Sequence, residues 1–113
     1  MKLKISFDFD QTLSQPRIQK VAKKMIDAGH EVWITTARPN DIAFPVPIWN
    51  RDLIKVANQL GIPYKRVQYT AGNPKYEFLQ GFDLHFDNDK PTIELIEKNL
   101  PNCATVLVVE DGK

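Results

Sequence analysis

The stretch Leu3-Lys4-Ile5-Ser6-Phe7-Asp8-Phe9-Asp10-Gln11-Thr12-Leu13 sets apolar side chains at positions 3, 5, 7 and 9. A period of two predicts a β-strand. This one runs straight into two acids, Asp8 and Asp10, with Thr12 close behind. Immediately downstream the period changes. Ile18, Val21, Ala22, Met25 and Ile26 fall at helical spacing, with Ser14 placed to cap the helix before Pro16 and Gly29 placed to stop it.

Working outward, the same alternation recurs to the end of the chain. Residues 31–36 carry the β-branched run Val32-Trp33-Ile34-Thr35-Thr36 and predict a buried strand. Asn50 can cap a helix whose Leu53, Ile54, Ala57 and Leu60 share one face, ended by Gly61-Ile62-Pro63. Residues 64–69 predict a third strand, and Asn73-Pro74 opens a short helix ending near Gly81. Residues 82–86 read as strand, 91–100 as helix and 104–109 as a last β-branched strand. Strict β-α alternation predicts an α/β fold, a three-layer doubly wound parallel sheet of about five strands. No repeat or linker divides the chain, so residues 1–113 are expected to form one domain.

Composition removes several function classes. With 42% hydrophobic and 26% charged residues the chain has the balance of a folded globule, not of a disordered tail. A net charge of +1 gives no global case for nucleic-acid or membrane binding. The single cysteine, Cys103, excludes an internal disulfide and a multi-cysteine zinc site, and is expected as a small buried hydrophobe. The acids at 8 and 10 interrupt the N-terminal apolar run too early for a signal peptide, and no stretch reaches the ~20 apolar residues that span a bilayer. The expected compartment is the cytoplasm.

In a doubly wound sheet, ligands bind beyond the carboxyl ends of the strands. The polar residues expected at that rim are Asp8 and Asp10 after the first strand, Thr36 and Arg38 after the second, Lys75 after the third, and Asp87 and Asp89 after the fourth. Residues i and i+2 of an extended chain point to the same side. Asp8 and Asp10 would then share a small space, which raises a pKa or demands a cation. With Asp87 or Asp89 added, the cluster suits a hard, water-retaining ion such as Mg²⁺. Each residue also has a plainer reading. The first two acids can solvate a strand end, Thr36 can be an ordinary strand residue, Lys75 an idle surface lysine, and Asp89 a cap for the helix opened by Pro91. His30 is expected to be solvated, and His85, inside the fourth strand, to be structural.

The run at 5–13 resembles the first motif of the haloacid dehalogenase-like (HAD) superfamily, an apolar strand leading into D-x-D-x-T. Ile34-Thr35-Thr36-Ala37-Arg38 resembles the second motif, Lys75 the third, and Phe86-Asp87-Asn88-Asp89 the fourth. The order separates this pattern from receiver domains, whose lysine follows the last acid, and from Toprim domains, whose D-x-D follows an earlier glutamate strand. The resemblance implies a Mg²⁺-dependent phosphomonoester hydrolase. Asp8 would be the nucleophile and Asp10 the general acid and base. Thr36, Lys75 and Arg38 would hold the phosphoryl group, and Asp8, Asp10, Asp87 and Asp89 are the candidate metal ligands. The alternative is a regulatory module that keeps the fold and binds phosphate or a partner without turnover.

Two departures from the family pattern matter. The helix expected from Pro16 leaves little room for the flap that normally follows Asp10, and the spacing from Asp10 to Thr36 leaves none for a cap domain. Capless members often act on nucleic-acid ends or phosphoproteins, or close the site with a second copy in a homo-oligomer. Small phosphate esters are the other substrate class. Residues 39–49 have no period yet carry Ile42, Phe44, Val46, Ile48 and Trp49. They are expected to overhang the site as a lid or subunit contact, or else to fold back into the core.

Overall fold

The computed structural model describes residues 1–40 and 49–109. The apolar-alternating start forms strand β1 (Lys4–Phe7), followed by helix α1 (Pro16–Asp27) and β2 (Glu31–Thr36). Helix α2 (Arg51–Leu60), β3 (Val67–Tyr69), β4 (Leu84–Asp87), α3 (Lys90–Asn99) and β5 (Ala104–Leu107) complete the order. All five strands run parallel in the order β3-β2-β1-β4-β5. The α/β class and five-stranded doubly wound sheet expected from the sequence are therefore what the chain forms.

The sheet carries apolar packing on both faces. Ile18 and Ala22 of α1 and Leu53 and Ala57 of α2 join Ile5, Phe7, Val32 and Ile34 in the larger cluster. Ile96 of α3 joins Leu79, Phe82 and Cys103 in a second cluster, against which Trp33 and Tyr76 pack. Phe7 and Phe86 stack across β1 and β4 with centroids 4.5 Å apart, which ties together the two strands that carry the acids. The chain leaves β1 toward β2 and leaves β4 toward β5, so the winding reverses between β1 and β4. In sheets of this kind that junction is where ligands bind.

Several local expectations are corrected. The extended run stops at Phe7, and Phe9–Leu13 form one wide, kinked turn closed by Leu13 N–H to Asp8 O at 3.0 Å and Ser14 N–H to Phe9 O at 2.9 Å. Gln11 takes a left-handed conformation there, with φ +61°. Ser14 does not cap α1. Its hydroxyl accepts the Gln11 N–H instead, and Gln15 stands at the cap position. Tyr64–Arg66 form a 3₁₀ turn, which shortens the third strand to three residues. The helix expected from Asn73-Pro74 is only a 3₁₀ turn, Lys75–Phe78, so a helix dipole plays no part at Lys75. His30 is not simply solvated, because its Nδ1 accepts the Leu3 N–H at 3.0 Å.

Other expectations hold. Gly61 ends α2 in the left-handed region, at φ +79°. Cys103 is buried. Among the described residues no helix is long and apolar enough to cross a membrane. Of the loop residues singled out above, Ile42, Phe44, Val46 and Ile48 lie outside the described residues, and Trp49 is exposed.

Candidate active site

The carboxyl end of β1 delivers Asp8 and the end of β4 delivers Asp87. The strands pair in register at Phe7 and Phe86, and Asp8 N–H bonds Phe86 O at 2.9 Å, so the two acids are held side by side. Lys75 arrives from the turn after β3 and closes the gap. Its Nζ donates to Asp8 Oδ1 at 2.6 Å and to Asp87 Oδ2 at 2.8 Å, and all three residues are buried. Three sequence positions chosen separately thus meet in one ion-paired cluster.

The remaining lone pairs are mostly engaged. Asp8 Oδ2 accepts the Thr12 hydroxyl at 3.2 Å. Asp87 Oδ1 accepts Asp89 N–H at 3.1 Å, and its Oδ2 faces His85 Nε2 at 2.8 Å. Turning the Asn88 amide so that its NH₂ faces acceptors brings it within 2.9 Å of Asp8 Oδ2 and 3.2 Å of the Asp10 carbonyl.

Burial dominates the electrostatics. It raises the Asp8 carboxyl from the ordinary 3.8 to about 6, Lys75 drawing it down and the like charge of Asp87 pushing it up. For Lys75 burial opposes the charge, but the attraction of Asp8 and Asp87 prevails and its pKa rises. Burial also disfavours the Asp87 anion, yet the His85 hydrogen bond and the Lys75 charge hold Asp87 below the usual carboxylate value. The fully buried His85 imidazole is pushed below its ordinary value by desolvation. Neutral, it donates its Nε2–H to Asp87.

Asp10 does not join this cluster. The turn at Phe9–Leu13 buries Phe9 and sends the Asp10 side chain outward, where Arg38 takes it. Arg38 Nε and Nη2 donate to the two Asp10 oxygens at 3.0 and 2.7 Å, and Nη1 and Nη2 donate to those of Asp52 at 2.7 and 3.0 Å. Its guanidinium carbon lies 5.0 Å above the Phe9 ring. The hydrogen bonds it donates to Asp52 and Asp10 hold the Arg38 pKa above its ordinary value. Arg38 in this structure is therefore a carboxylate clamp, and its Nη1 also donates to the Trp49 carbonyl at 3.1 Å.

Thr36 is fully buried, and its hydroxyl accepts Arg38 N–H at 3.2 Å. Asp89 caps α3, its Oδ2 accepting Thr92 N–H at 3.2 Å, as the plainer sequence reading expects. An open cavity of about 220 Å³ lies over the cluster, and Asp8, Asp10, Lys75, Asp87, Asn88 and Asp89 contribute to its walls. Thr36 and Arg38 do not.

No family model matches the chain, and no curated protein sequence matches it.

Sequence reasoning gave too little weight to three residues. His85 sits two positions before Asp87 on one strand, a spacing that puts both on the same face, and that signal was present. Asn88 lies between two acids, and no pattern marks its amide as reaching Asp8. Nothing in the sequence pairs Asp52 with Arg38, 14 residues apart.

Asp8 and Asp87 are the residues that could hold a divalent cation. Asp8 and Asp87 are hard oxygen donors, and one ammonium set against two buried carboxylates leaves negative charge in excess. Among the described residues no group of three or more His, Cys, Asp or Glu is arranged to hold a metal ion. Mg²⁺, which keeps several waters and needs only one or two carboxylates, fits such a sparse set better than Ca²⁺ or Zn²⁺.

Proposed function

We propose that the chain is a Mg²⁺-dependent phosphomonoester hydrolase that works through an aspartyl-phosphate on Asp8. The observation that carries this reading is the buried Asp8–Lys75–Asp87 arrangement at the winding reversal, at 2.6 and 2.8 Å, beneath an open cavity. The resemblance of residues 5–13 to the HAD first motif supports it independently.

Asp8 attacks phosphorus through a carboxylate oxygen, and the bond from phosphorus to the ester oxygen breaks. Asp10 gives the leaving oxygen its proton. It then takes a proton from the water that attacks the acyl phosphate, releasing inorganic phosphate and restoring Asp8. Lys75, already in contact with Asp8, neutralises charge on the phosphoryl oxygens. Asp87 fixes Lys75, and His85 fixes Asp87. Mg²⁺, held by Asp8 and Asp87, supplies further charge neutralisation when bound. For Asp10 to act, its carboxylate must turn from Arg38 toward the cavity whose wall it already lines.

The second reading, a phosphate- or partner-binding module without turnover, draws on one observation. Asp10 is held by Arg38 with two hydrogen bonds. Hydrolysis of an aryl phosphate by the folded protein, in Mg²⁺ and in chelator, separates the two. Turnover that needs Mg²⁺ supports the hydrolase, and no turnover with any divalent metal supports the binding module.

A further inference from the structure

A second cavity, of about 280 Å³, adjoins the first and shares Ala37, Lys75, Asp89 and Thr92 with it. Its other walls include Pro74 and Tyr76 from the turn after β3 and Pro91 and Leu95 from α3. Leu95 belongs to α3 but not to its buried face, which is formed by Ile93 and Ile96, and it is 43% exposed. An exposed leucine beside a tyrosine and two prolines, on a wall shared with the phosphoryl-binding lysine, is an apolar surface waiting to be covered.

Charge narrows the choice of what covers it. Across both cavities the only cation among the described wall residues is Lys75, and it already serves two carboxylates. Asp8, Asp87 and Asp89 stand against it, while Asp10 on the same wall is held by Arg38. A nucleic-acid end would bring further phosphates into this field, and such ligands are held by Lys and Arg contacts along their backbone.

Resting on the hydrolase reading above, we infer that the substrate is a compact phosphomonoester with an uncharged, ring-sized leaving group. That group lies against Pro74, Tyr76, Pro91 and Leu95, while its phosphate faces Lys75. The four side chains supply contact area, and the absence of a second cation among the described wall residues selects against polyanionic substrates.

The test is equilibrium binding in excess Mg²⁺ of methylphosphonate, benzylphosphonate and a short 3′-phosphorylated oligonucleotide, none of which requires turnover to be read. Covering one ring against this surface predicts that benzylphosphonate binds about tenfold more tightly than methylphosphonate. In Leu95→Asp the two phosphonates should bind within about twofold of each other. Equal affinities in the wild-type protein, or an oligonucleotide that binds more tightly than benzylphosphonate, overturn the inference while leaving the phosphoryl site standing. Failure of methylphosphonate itself to bind overturns the phosphoryl site and this inference with it.

Discussion

Arg38 grips Asp10 with two parallel hydrogen bonds while Lys75 holds Asp8, although the two acids are separated by a single residue. The i and i+2 argument fails here for a local reason. The strand ends at Phe7, and the wide turn that follows buries Phe9 beneath the Arg38 guanidinium. Two acids that look like a pair in sequence therefore have separate partners, Asp8 with Lys75 and Asp10 with Arg38.

The clamp predicts a pH-dependent stability. Arg38 holds the Asp52 carboxyl below its ordinary 3.8. Stability from this group is thus present above pH 3.8 and lost as the pH falls through the lower folded-state value. Asp52→Asn should be modestly less stable than wild type at pH 7, and by less in high salt, because Asp52 is 62% exposed. Urea unfolding from neutral pH down into the acid range should show the two curves converging at the acid end.

Lys75 predicts a larger effect. Lys75→Gln leaves Asp8 and Asp87 buried without their counter-charge, and removing one partner of a buried pair costs about 3–5 kcal/mol. Urea unfolding of the metal-free protein at about pH 7.5 should show a loss of that order. At about pH 5 the loss should shrink, because Asp8 then takes up a proton.

Asp8→Asn should stabilise the metal-free protein at neutral pH. The folded-state Asp8 pKa of about 6 lies above the unfolded 3.8. Its contribution to stability is therefore full below pH 3.8 and is lost as the pH rises through about 6. The asparagine amide does not titrate, so the variant escapes that loss. The rise from 3.8 to about 6 is worth up to about 3 kcal/mol, so thermal unfolding at about pH 7.5 should show a Tm higher by several degrees, with no difference near about pH 3.5.

Asp89 is tested by separating stability from metal dependence. As the α3 cap, Asp89→Ala should cost about 1 kcal/mol in urea unfolding. With Asp8 and Asp87 as the metal ligands, the Mg²⁺ concentration for half-maximal turnover should move by less than about threefold. Asp87→Asn should raise it by about tenfold or more.

The fold was legible because its signals are local and repeated. The apolar periods of β1, α1, β2 and α2 each follow from which side chains must be buried, and the alternation itself requires a parallel sheet. The meeting of Asp8, Asp87 and Lys75 was legible too, since strand ends of a doubly wound sheet converge on one rim. What the sequence hid depends on single turns. The left-handed Gln11 and the wide turn around it decide where Asp10 points, and a 3₁₀ turn replaces the helix expected at Lys75. Nor could spacing show that Asp52 would engage Arg38, which lies 14 residues before it.

The central claim is that Asp8 is the nucleophile of a phosphomonoesterase, and it is tested most directly by steady-state hydrolysis of an aryl phosphate by wild type and Asp8→Asn in saturating Mg²⁺. Circular dichroism first confirms that both proteins are folded. The account predicts Mg²⁺-dependent turnover by the wild type and a loss of at least about a hundredfold in kcat for the variant. Turnover by Asp8→Asn within about tenfold of wild type would contradict it.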